Sequence, residues 1–145
     1  MILIKKITAE ATYKIRLEVL RKDISLPCQF QGDLEAETLH VGVFLTDDLV
    51  GVSSFMKNEN ALFTDKNQYQ LRGMATLSEA RGKGCGKQLI DFAVQRLQHK
   101  KATILWCKAR EVAVDFYKKT GFLIIGDPFF IPQIGMHYIM YKRLQ

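Results

Sequence analysis

The chain has 145 residues, 48% of them hydrophobic, and a formal net charge of +6, which predicts one compact domain over residues 1–145 with a core of its own. No apolar run reaches the roughly 20 residues that cross a bilayer, and the N-terminus lacks the pattern of a signal peptide, so we expect a cytoplasmic protein without a membrane partner. Cys28, Cys85 and Cys107 are far apart and form no C-x-x-C pair, which predicts reduced, mostly buried cysteines and argues against a disulfide framework or a metal site.

The first part of the chain predicts a strand, a helix and a β-hairpin. The strand covers residues 2–7 and the helix residues 9–21, with Thr8 as the N-cap. Apolar residues spaced four apart mark the inward face of this helix: Ala11, Ile15 and Val19. Two apolar runs, residues 39–46 and 49–56, then predict an antiparallel hairpin.

A strand–helix–strand unit is predicted in the middle of the chain. A strand at residues 68–76 is followed by a glycine-rich turn and a helix over residues 84–100, and a second strand covers residues 103–108. The helix directs four apolar residues inward: Leu89, Ile90, Ala93 and Leu97. Because a helix joins the two strands, we expect a right-handed crossover between parallel neighbours.

A short helix and two strands complete the predicted elements. The helix ends at Gly121 and directs one side inward: Val112, Ala113, Phe116 and Tyr117. Strands follow at residues 122–125 and 136–144, separated by a loop that carries Pro128 and Pro132. The order of elements predicts an α/β (α+β) fold, in which a mixed sheet has helices on both faces.

Positive charge is concentrated around the glycine-rich turn. Residues 72–110 contain nine Lys and Arg residues against two acids, whereas the rest of the chain is nearly balanced. Such a concentration favours a polyanionic ligand. For the basic residues farther along the helix, a solvated face is the simpler interpretation. Three others alternate with glycines and favour ligand binding: Arg81, Lys83 and Lys87.

The glycine-rich turn has the sequence R-G-K-G-C-G-K over residues 81–87. Helix N-termini offer unpaired N–H groups to phosphates, and glycines let the backbone approach them closely. A P-loop would need glycine in place of Arg81 and Ser or Thr in place of Gln88, and the dinucleotide fingerprint G-x-G-x-x-G fails in both registers. The turn therefore predicts a pyrophosphate site of another class, and a ligand-free glycine turn is the alternative.

Two segments around this turn resemble one enzyme family. The run L-R-G-M-A-T-L-S-E-A-R-G-K-G-C-G-K-Q-L-I (residues 71–90) resembles the central motif, Q/R-x-x-G-x-G/A, of the GNAT superfamily of acetyl-CoA-dependent N-acetyltransferases. A-R-E-V-A-V-D-F-Y-K-K-T-G-F (residues 109–122) is similar to that family's second motif. G-M-H-Y-I-M-Y-K-R-L near the C-terminus and I-R-L-E-V-L-R near the N-terminus resemble a bacterial subgroup of small, single-domain GNAT proteins. The resemblance implies a twisted, mostly antiparallel sheet of six to seven strands, with a central parallel pair splayed by a bulge.

Binding of acetyl-CoA follows from this resemblance. Gly73 would form the bulge, which is also the independent expectation for a glycine inside a strand. The strand would hold the pantetheine arm, the turn would hold the diphosphate, and an aromatic side chain would pack beside the cofactor. The expected cofactor residues are Met74, Ala75, Thr76, Arg81, Gly82, Lys83, Gly84, Cys85, Gly86, Lys87, Lys108 and Phe116. Lys108 stands where the subgroup usually has asparagine.

Tyr117 is the catalytic acid that the family pattern implies, although its position alone would favour a core tyrosine. A phenol with a pKa of about 10 is protonated at neutral pH and can donate to a thiolate whose thiol has a pKa of about 8.5. An amine acceptor with a pKa of about 10.4 must lose a proton before it attacks. His137, which matches a histidine of the subgroup, is the second catalytic candidate. Three carboxylates stay open as alternatives: Glu18, Glu37 and Glu79.

The acceptor site has no motif of its own. In such folds the first helix borders it, so Arg16 and Arg21 could hold an acidic part of the substrate, although solvated helix charges are the simpler interpretation. We expect acetyl transfer to a primary amine of a small molecule or peptide, by direct attack in a ternary complex. A catalytically silent acyl-CoA-binding module is the alternative. A nucleic-acid partner is not expected because no recognition motif accompanies the basic patch, and a homodimer stays open.

Overall fold

Seven strands form one mixed sheet in the computed structural model, which describes residues 1–145. The strands are β1 (Ile2–Lys6), β2 (Leu39–Leu45), β3 (Asp48–Lys57), β4 (Gln68–Thr76), β5 (Ile104–Arg110), β6 (Leu123–Ile131) and β7 (Gly135–Arg143). The α-helices are α1 (Ala9–Ile15), α2 (Cys85–His99) and α3 (Val114–Lys119). A π-helical turn (Arg16–Leu20) extends α1, and short 3-10 turns (Ser78–Ala80 and Glu111–Ala113) precede α2 and α3. None of the helices is both long and apolar enough to cross a membrane.

The order across the sheet is β1-β2-β3-β4-β5-β7-β6, and only β4 and β5 are parallel neighbours. All other neighbouring pairs are antiparallel, including the predicted hairpin of β2 and β3. The parallel pair is joined by α2, since parallel neighbours need a long crossover connection. The predicted fold class, with its mostly antiparallel sheet of seven strands, is confirmed.

The centre of the sheet opens where β4 carries a bulge. On β4, Gly73 and Met74 together lie opposite a single residue of β3, Ser53. Gly73 has a φ of +66°, in the left-handed region that favours glycine. Pairing between the parallel strands ends at Leu71 of β4 and Cys107 of β5, and the strands separate beyond these residues. The predicted bulge and splayed parallel pair are therefore confirmed.

The helices cover opposite faces of the sheet. On one face α2 and α3 pack over the main core, and the four apolar residues predicted to face inward from α2 are all fully buried. On the other face α1 and the π-helical turn pack over Val52 and Ala75. Burial of each large apolar side chain stabilises the fold by about 1.5–3 kcal/mol, so the helices hold the opened sheet together from both sides. All three cysteines are free, and Cys85 and Cys107 are buried.

The first helix departs from its predicted regularity. It begins at the expected N-cap, where the hydroxyl of Thr8 accepts a hydrogen bond from the N–H of Ala11 at 3.2 Å. Beyond Ile15 the helix widens into the π-helical turn, which shifts the buried face. Arg16 lies on that face and is 0% exposed, so its interpretation as a solvated charge is wrong.

Two further predictions about the C-terminal part are wrong. The loop expected around Pro128 is part of β6, which continues to Ile131. Because β6 is an edge strand with an irregular register before Phe129, the missing N–H of proline is tolerated there. Val112, expected to face inward, is 93% exposed, since the 3-10 turn that contains it has a tighter period than the α-helix that follows.

Candidate active site

A cavity of about 500 Å³ is bounded by the bulged end of β4, the glycine-rich turn, α3 and the π-helical turn. Most of the residues predicted to contact the cofactor line it: Met74, Ala75, Thr76, Arg81, Gly82, Gly84, Cys85, Gly86, Lys87 and Phe116. The other two, Lys83 and Lys108, are exposed and lie outside its lining. The structure thus brings together residues from two separate sequence motifs at the opening of the sheet.

Sequence reasoning missed several residues that line the same cavity: Val19, Ala80, Lys119 and Thr120. For two of them, the sequence contained a spacing that could have predicted their place at the cavity. Lys119 and Thr120 follow Phe116 by three and four residues, the spacing that places side chains on one side of a helix. Val19 was marked by its spacing only as an inward-facing residue of the first helix, because its place at the cavity depends on how the π-helical turn packs on the sheet.

The glycine-rich turn presents bare backbone to the cavity. Gly82 and Gly84 both have a φ of +74°, and an added Cβ at either position would meet nothing within 4 Å. Gly84 is the N-cap of α2, so the N–H groups of the following turn have no acceptor within the helix. The helix α2 has 15 residues, so its N-terminus is positively polarised. Because the glycines leave this N-terminus accessible, it is a suitable anion site.

Gly86 has a different role in the turn. A Cβ at this position would lie 2.8 Å from two ring atoms of Phe116. The absence of a side chain therefore lets α3 pack closely against the start of α2. This contact sets the width of the cavity on the side where Phe116 forms its wall.

The bulge leaves two residues of β4 without a register partner. Gly73 and Met74 have no register partner in β3, and pairing with β5 has already ended at Leu71. Met74 lines the cavity immediately beyond this point. If the N–H of Met74 is left free there, it is the kind of donor that can stabilise negative charge on a bound carbonyl oxygen.

Tyr117 lies in the main core behind the cavity and is 5% exposed. Its ring packs edge-on between Phe116, at 5.1 Å, and Phe122, at 5.3 Å between centroids. Its hydroxyl has no hydrogen-bond partner in the protein and is not sealed from solvent. Burial, reinforced by the neighbouring thiol of Cys107, raises the pKa of Tyr117 well above its usual value despite the opposing charge of Arg110.

His137 lies on β7, opposite Arg110 of β5, and is 3% exposed. Its Nδ1 is 2.8 Å from the carbonyl oxygen of Gly135, so Nδ1 carries the proton and Nε2 keeps a free lone pair. Burial lowers the pKa of His137, and the positive charges of Arg110 and Lys108 lower it further, against the hydrogen bond to Gly135. The imidazole is therefore neutral at neutral pH and can accept a proton.

The three carboxylates left open as bases all lie at the surface: Glu18, Glu37 and Glu79. Glu37 forms a loose ion pair with Lys57 at 3.8 Å. Among the predicted cofactor residues, the ammonium of Lys87 pairs with Asp91 at 2.6 Å, one helical turn away. Surface pairs of this kind exchange readily with solvent and leave Lys87 able to turn toward a ligand.

A buried ion pair between Arg16 and Asp33 packs against the bulge at Gly73. Arg16 donates to both carboxylate oxygens of Asp33, at 2.8 and 3.0 Å, and also to Ser54 and to the carbonyl oxygen of Cys28. Its remaining donor, Nε, has no partner and lies 3.0 Å from the position that a Cβ of Gly73 would occupy. Glycine is thus required at the bulge both by its φ and by the guanidinium beneath it.

A sequence model of the acetyltransferase (GNAT) family matches residues 6–122. The chain therefore belongs to the GNAT family of acetyltransferases and is an acyltransferase, which confirms the family that its motifs indicate. It is 38% identical over 146 residues to the uncharacterized N-acetyltransferase YitI of Bacillus subtilis (strain 168), covering 100% of this chain and 98% of YitI.

Solved structures share the fold over nearly the whole chain. Escherichia coli ElaA has a TM-score of 0.81 at 17% identity, with 98% of this chain and 99% of ElaA covered. An aminoglycoside 6'-N-acetyltransferase complexed with coenzyme A has a TM-score of 0.76 at 13% identity, with 99% of this chain and 97% of that chain covered. Because the identities are low, these similarities show a common fold.

Proposed function

We propose that the chain transfers the acetyl group of acetyl-CoA to a primary amine by direct attack within a ternary complex. The observation that carries this proposal is the cavity at the sheet opening, which joins a glycine-rich helix N-terminus to the unpaired backbone of a bulged strand. Membership of the GNAT family supports it, and one structural neighbour was solved as a complex with coenzyme A.

The turn has the properties that a pyrophosphate needs. Gly82 and Gly84 leave the backbone accessible, the first turn of α2 has free N–H groups, and Arg81 and Lys87 add positive charge at the cavity. We assign the diphosphate to the N–H groups of residues 82–87. Lys83, an exposed residue of the same turn, is assigned to a longer-range contact with phosphate. Lys108 is assigned no phosphate contact, because its neighbours Cys107 and Ala109 belong to the core under α2 and its own side chain leaves β5 on the other face of the sheet.

The strand and α3 would hold the rest of the cofactor. The backbone of Met74, Ala75 and Thr76 would pair with the pantetheine amides, and Phe116 would pack against the arm. Bound acetyl-CoA supplies an activated thioester and a thiolate leaving group. The N–H of Met74 would donate to the carbonyl oxygen as negative charge develops there, an interaction that contributes roughly 10²- to 10³-fold in comparable sites.

Tyr117 and His137 would divide the proton transfers. Burial raises the pKa of Tyr117, so its phenol is protonated at neutral pH and would donate to the departing thiolate, although the same shift makes it a weaker acid than an exposed tyrosine. His137 would accept the proton of the attacking amine at Nε2, directly or through water, since its Nδ1 is already committed to Gly135. The two groups thus have opposite protonation states at neutral pH, as an acid and a base require.

The test is a titration with acetyl-CoA, monitored by thermal unfolding, followed by a screen of primary amines monitored by thiol release. We expect a saturable rise in the unfolding temperature and acceptor-dependent release of the thiol. A protein that does not respond to acetyl-CoA would contradict the proposal. Tight binding without thiol release across the whole amine panel would instead favour the catalytically silent acyl-CoA-binding module.

A further inference from the structure

Four cations gather on the α1 side of the sheet opening. Arg72 is the last residue of β4 before the bulge, Lys108 and Arg110 lie on β5 beyond its last pairing with β4, and Arg21 directly follows the π-helical turn. The strand residues that alternate with these cations belong to the core under α2. Side chains on a strand alternate between faces, so the cations of β4 and β5 leave the sheet on the side of α1.

Two of the guanidinium groups meet on one carbonyl. Arg21 donates through Nη1 to the carbonyl oxygen of Leu20 at 3.3 Å, and Arg110 donates through Nη2 to the same oxygen at 3.2 Å. Two like charges are thereby held side by side by one neutral acceptor. Such an arrangement costs electrostatic free energy unless an anion lies between the charges.

The ring of Phe30 brings a third guanidinium to the same place. Arg72 lies 4.4 Å from the ring centroid and Arg21 lies 5.4 Å from it. Arg16 also stacks on this ring, but its charge is neutralised by Asp33. The guanidinium of Arg72 makes no hydrogen bond within the protein, so its donors are available to a ligand.

No carboxylate of the protein forms an ion pair with this cluster. The charge of Asp33 acts on Arg72, but Asp33 is already bonded to Arg16, and the exposed acids Glu18 and Glu111 form no ion pair. Glu35 and Glu37 line a surface cavity with Arg72, but neither pairs with it. Burial lowers the pKa of Arg21, and the charges of Arg110 and Arg72 lower it further. The three arginines stay charged because a guanidinium is not deprotonated at physiological pH, and they repel one another when no anion lies between them.

We propose that the arginine cluster (Arg21, Arg72 and Arg110) binds an anionic group of the acceptor, so that the amine substrate carries a carboxylate or a phosphate. This inference rests on the proposed acetyl transfer. The cluster adjoins the reaction site, since Arg72 precedes the bulge, Arg110 lies opposite His137, and Val19 of the cavity wall is two residues before Arg21. The same charges would repel polyamines and other purely cationic acceptors.

The first experiment compares acceptors that differ only in the anionic group. Amino acids are each paired with their carboxamides, and O-phosphoethanolamine is paired with ethanolamine, in the thiol-release assay with wild-type protein. We expect kcat/KM to be at least tenfold higher for the anionic member of a pair. The carboxamide pairs test a carboxylate and the ethanolamine pair tests a phosphate. Equal rates within every pair would overturn the proposal.

The second experiment removes single charges. Arg21→Gln and Arg110→Gln should each raise KM for the anionic acceptor at least tenfold. In Arg21→Gln the KM for acetyl-CoA and the rate with the neutral partner should stay unchanged, because the charge of Arg21, unlike that of Arg110, does not act on Tyr117 or His137. Arg143→Gln is the matched control, because it removes the same charge from an exposed pair with Asp65. An equal loss for anionic and neutral acceptors would assign the arginines a structural role and overturn the inference.

A binding measurement tests the anion site of the arginine cluster independently of the proposed acetyl transfer. If no amine is acetylated, CoA-saturated protein is titrated calorimetrically with succinate and with inorganic phosphate. Saturable binding that is lost in Arg21→Gln would support the anion site even though the transfer reaction had failed. Absence of such binding in wild-type protein would overturn the arginine cluster as an anion site.

Discussion

The hydroxyl of Tyr117 has no hydrogen-bond partner within the protein but is not sealed from solvent. Its ring packs tightly between two phenylalanines. The rigid ring fixes the position of the hydroxyl, and the missing partner leaves it free to donate to a group that enters from outside.

We therefore expect Tyr117→Phe to lower kcat by about 10²- to 10⁴-fold, the usual contribution of a positioned acid. Because the ring and its packing are retained, the Kd for acetyl-CoA should change less than twofold. Rapid measurement of thiol release, together with calorimetric binding, checks both expectations. Unchanged turnover in this variant would remove Tyr117 from the mechanism.

The pKa of His137 predicts how kcat/KM decreases in acidic solution. Burial and the adjacent cations lower its pKa below the usual 6.5, so the imidazole becomes protonated only in more acidic solution. As a proton acceptor it is active above its pKa, and kcat/KM should fall as the pH decreases through that value. His137→Asn should lose this limb and lower kcat/KM at neutral pH. A wild-type limb that persists in the variant would identify another base.

The pair of Arg16 and Asp33 is important for stability in a way that surface ion pairs are not. Burial alone would raise the pKa of Asp33, but hydrogen bonds from Arg16 and from the N–H of Phe30, with the charge of Arg16, outweigh it and hold the pKa below its usual value. A lowered folded-state pKa stabilises the protein above the unfolded-state pKa, about 3.9. This contribution is lost as the pH falls through the folded-state value.

Asp33→Asn should lower the free energy of unfolding by about 3–5 kcal/mol, because it leaves a buried guanidinium without its counter-ion. Urea unfolding at pH 7 measures this loss, and the same titration at pH 3 should show a smaller difference from wild type. Glu37→Gln is the control for an exposed pair and should cost no more than about 1 kcal/mol. Equal effects of the two substitutions would contradict the structural role assigned to Arg16.

The close contact between α2 and α3 depends on Gly86, which has no side chain. In Gly86→Ala the new methyl would lie within 2.8 Å of the ring of Phe116 and push α3 away from the turn. Overpacking of this kind costs about 1–3 kcal/mol, and we expect the Kd for acetyl-CoA to rise about tenfold. Calorimetry checks this value. Recovery of affinity in the double variant Gly86→Ala with Phe116→Leu would assign the loss to the ring rather than to the backbone.

Elements with strong local signals were predictable from the sequence, and those set by distant contacts were not. The bounds predicted for β4 agree with the structure, and α2 is within one residue at each end, because alternation, glycines and helical spacing are local. The π-helical turn and the burial of Arg16 depend on Asp33, which is 17 residues away in a loop without periodicity. Pro128 was misleading because edge strands tolerate proline and the sequence does not reveal which strand is at the edge.

The candidate site likewise has one part that local motifs predict and another that depends on distant contacts. Its proposed cofactor side is formed by two short motifs whose residues are neighbours in sequence, so the resemblance of these motifs to a known family named most of the cavity lining. Its proposed acceptor side is assembled from the π-helical turn, the end of β4 and the end of β5. Arg72 and Arg110 were visible only as members of a basic patch, since their convergence on Arg21 requires the fold.

Across the whole molecule the sheet consists of two halves with a narrow junction. Strands β1–β4 form one half and β5–β7 the other, and only the pairing of Gln68–Leu71 with residues 104–107 joins them directly. The helices bridge the halves, while the end of the junction nearest the active site stays open. A ligand that pairs with the free edge of β4 would add bonds at the weakest part of the sheet.

Acetyl-CoA at 100 times its Kd should stabilise the folded state by about 2.7 kcal/mol, equivalent to a rise of roughly 5 to 10 °C in the unfolding temperature. Hydrogen exchange should slow most at residues 73–76 and at the start of α2. The control ligand is free pantetheine, which lacks the diphosphate and should bind far more weakly. Equal protection by pantetheine would contradict the assignment of the glycine-rich turn to the diphosphate.

The opening between β4 and β5 also has a consequence for the lifetime of the protein in a cell. Proteases act on chains that have opened, and a small change in stability alters the opened population severalfold. If acetyl-CoA closes this opening, then starvation for acetyl-CoA would expose the enzyme to degradation at the same time as it removes the substrate. The abundance of the enzyme would then follow the metabolic supply of acetyl groups without any dedicated regulator.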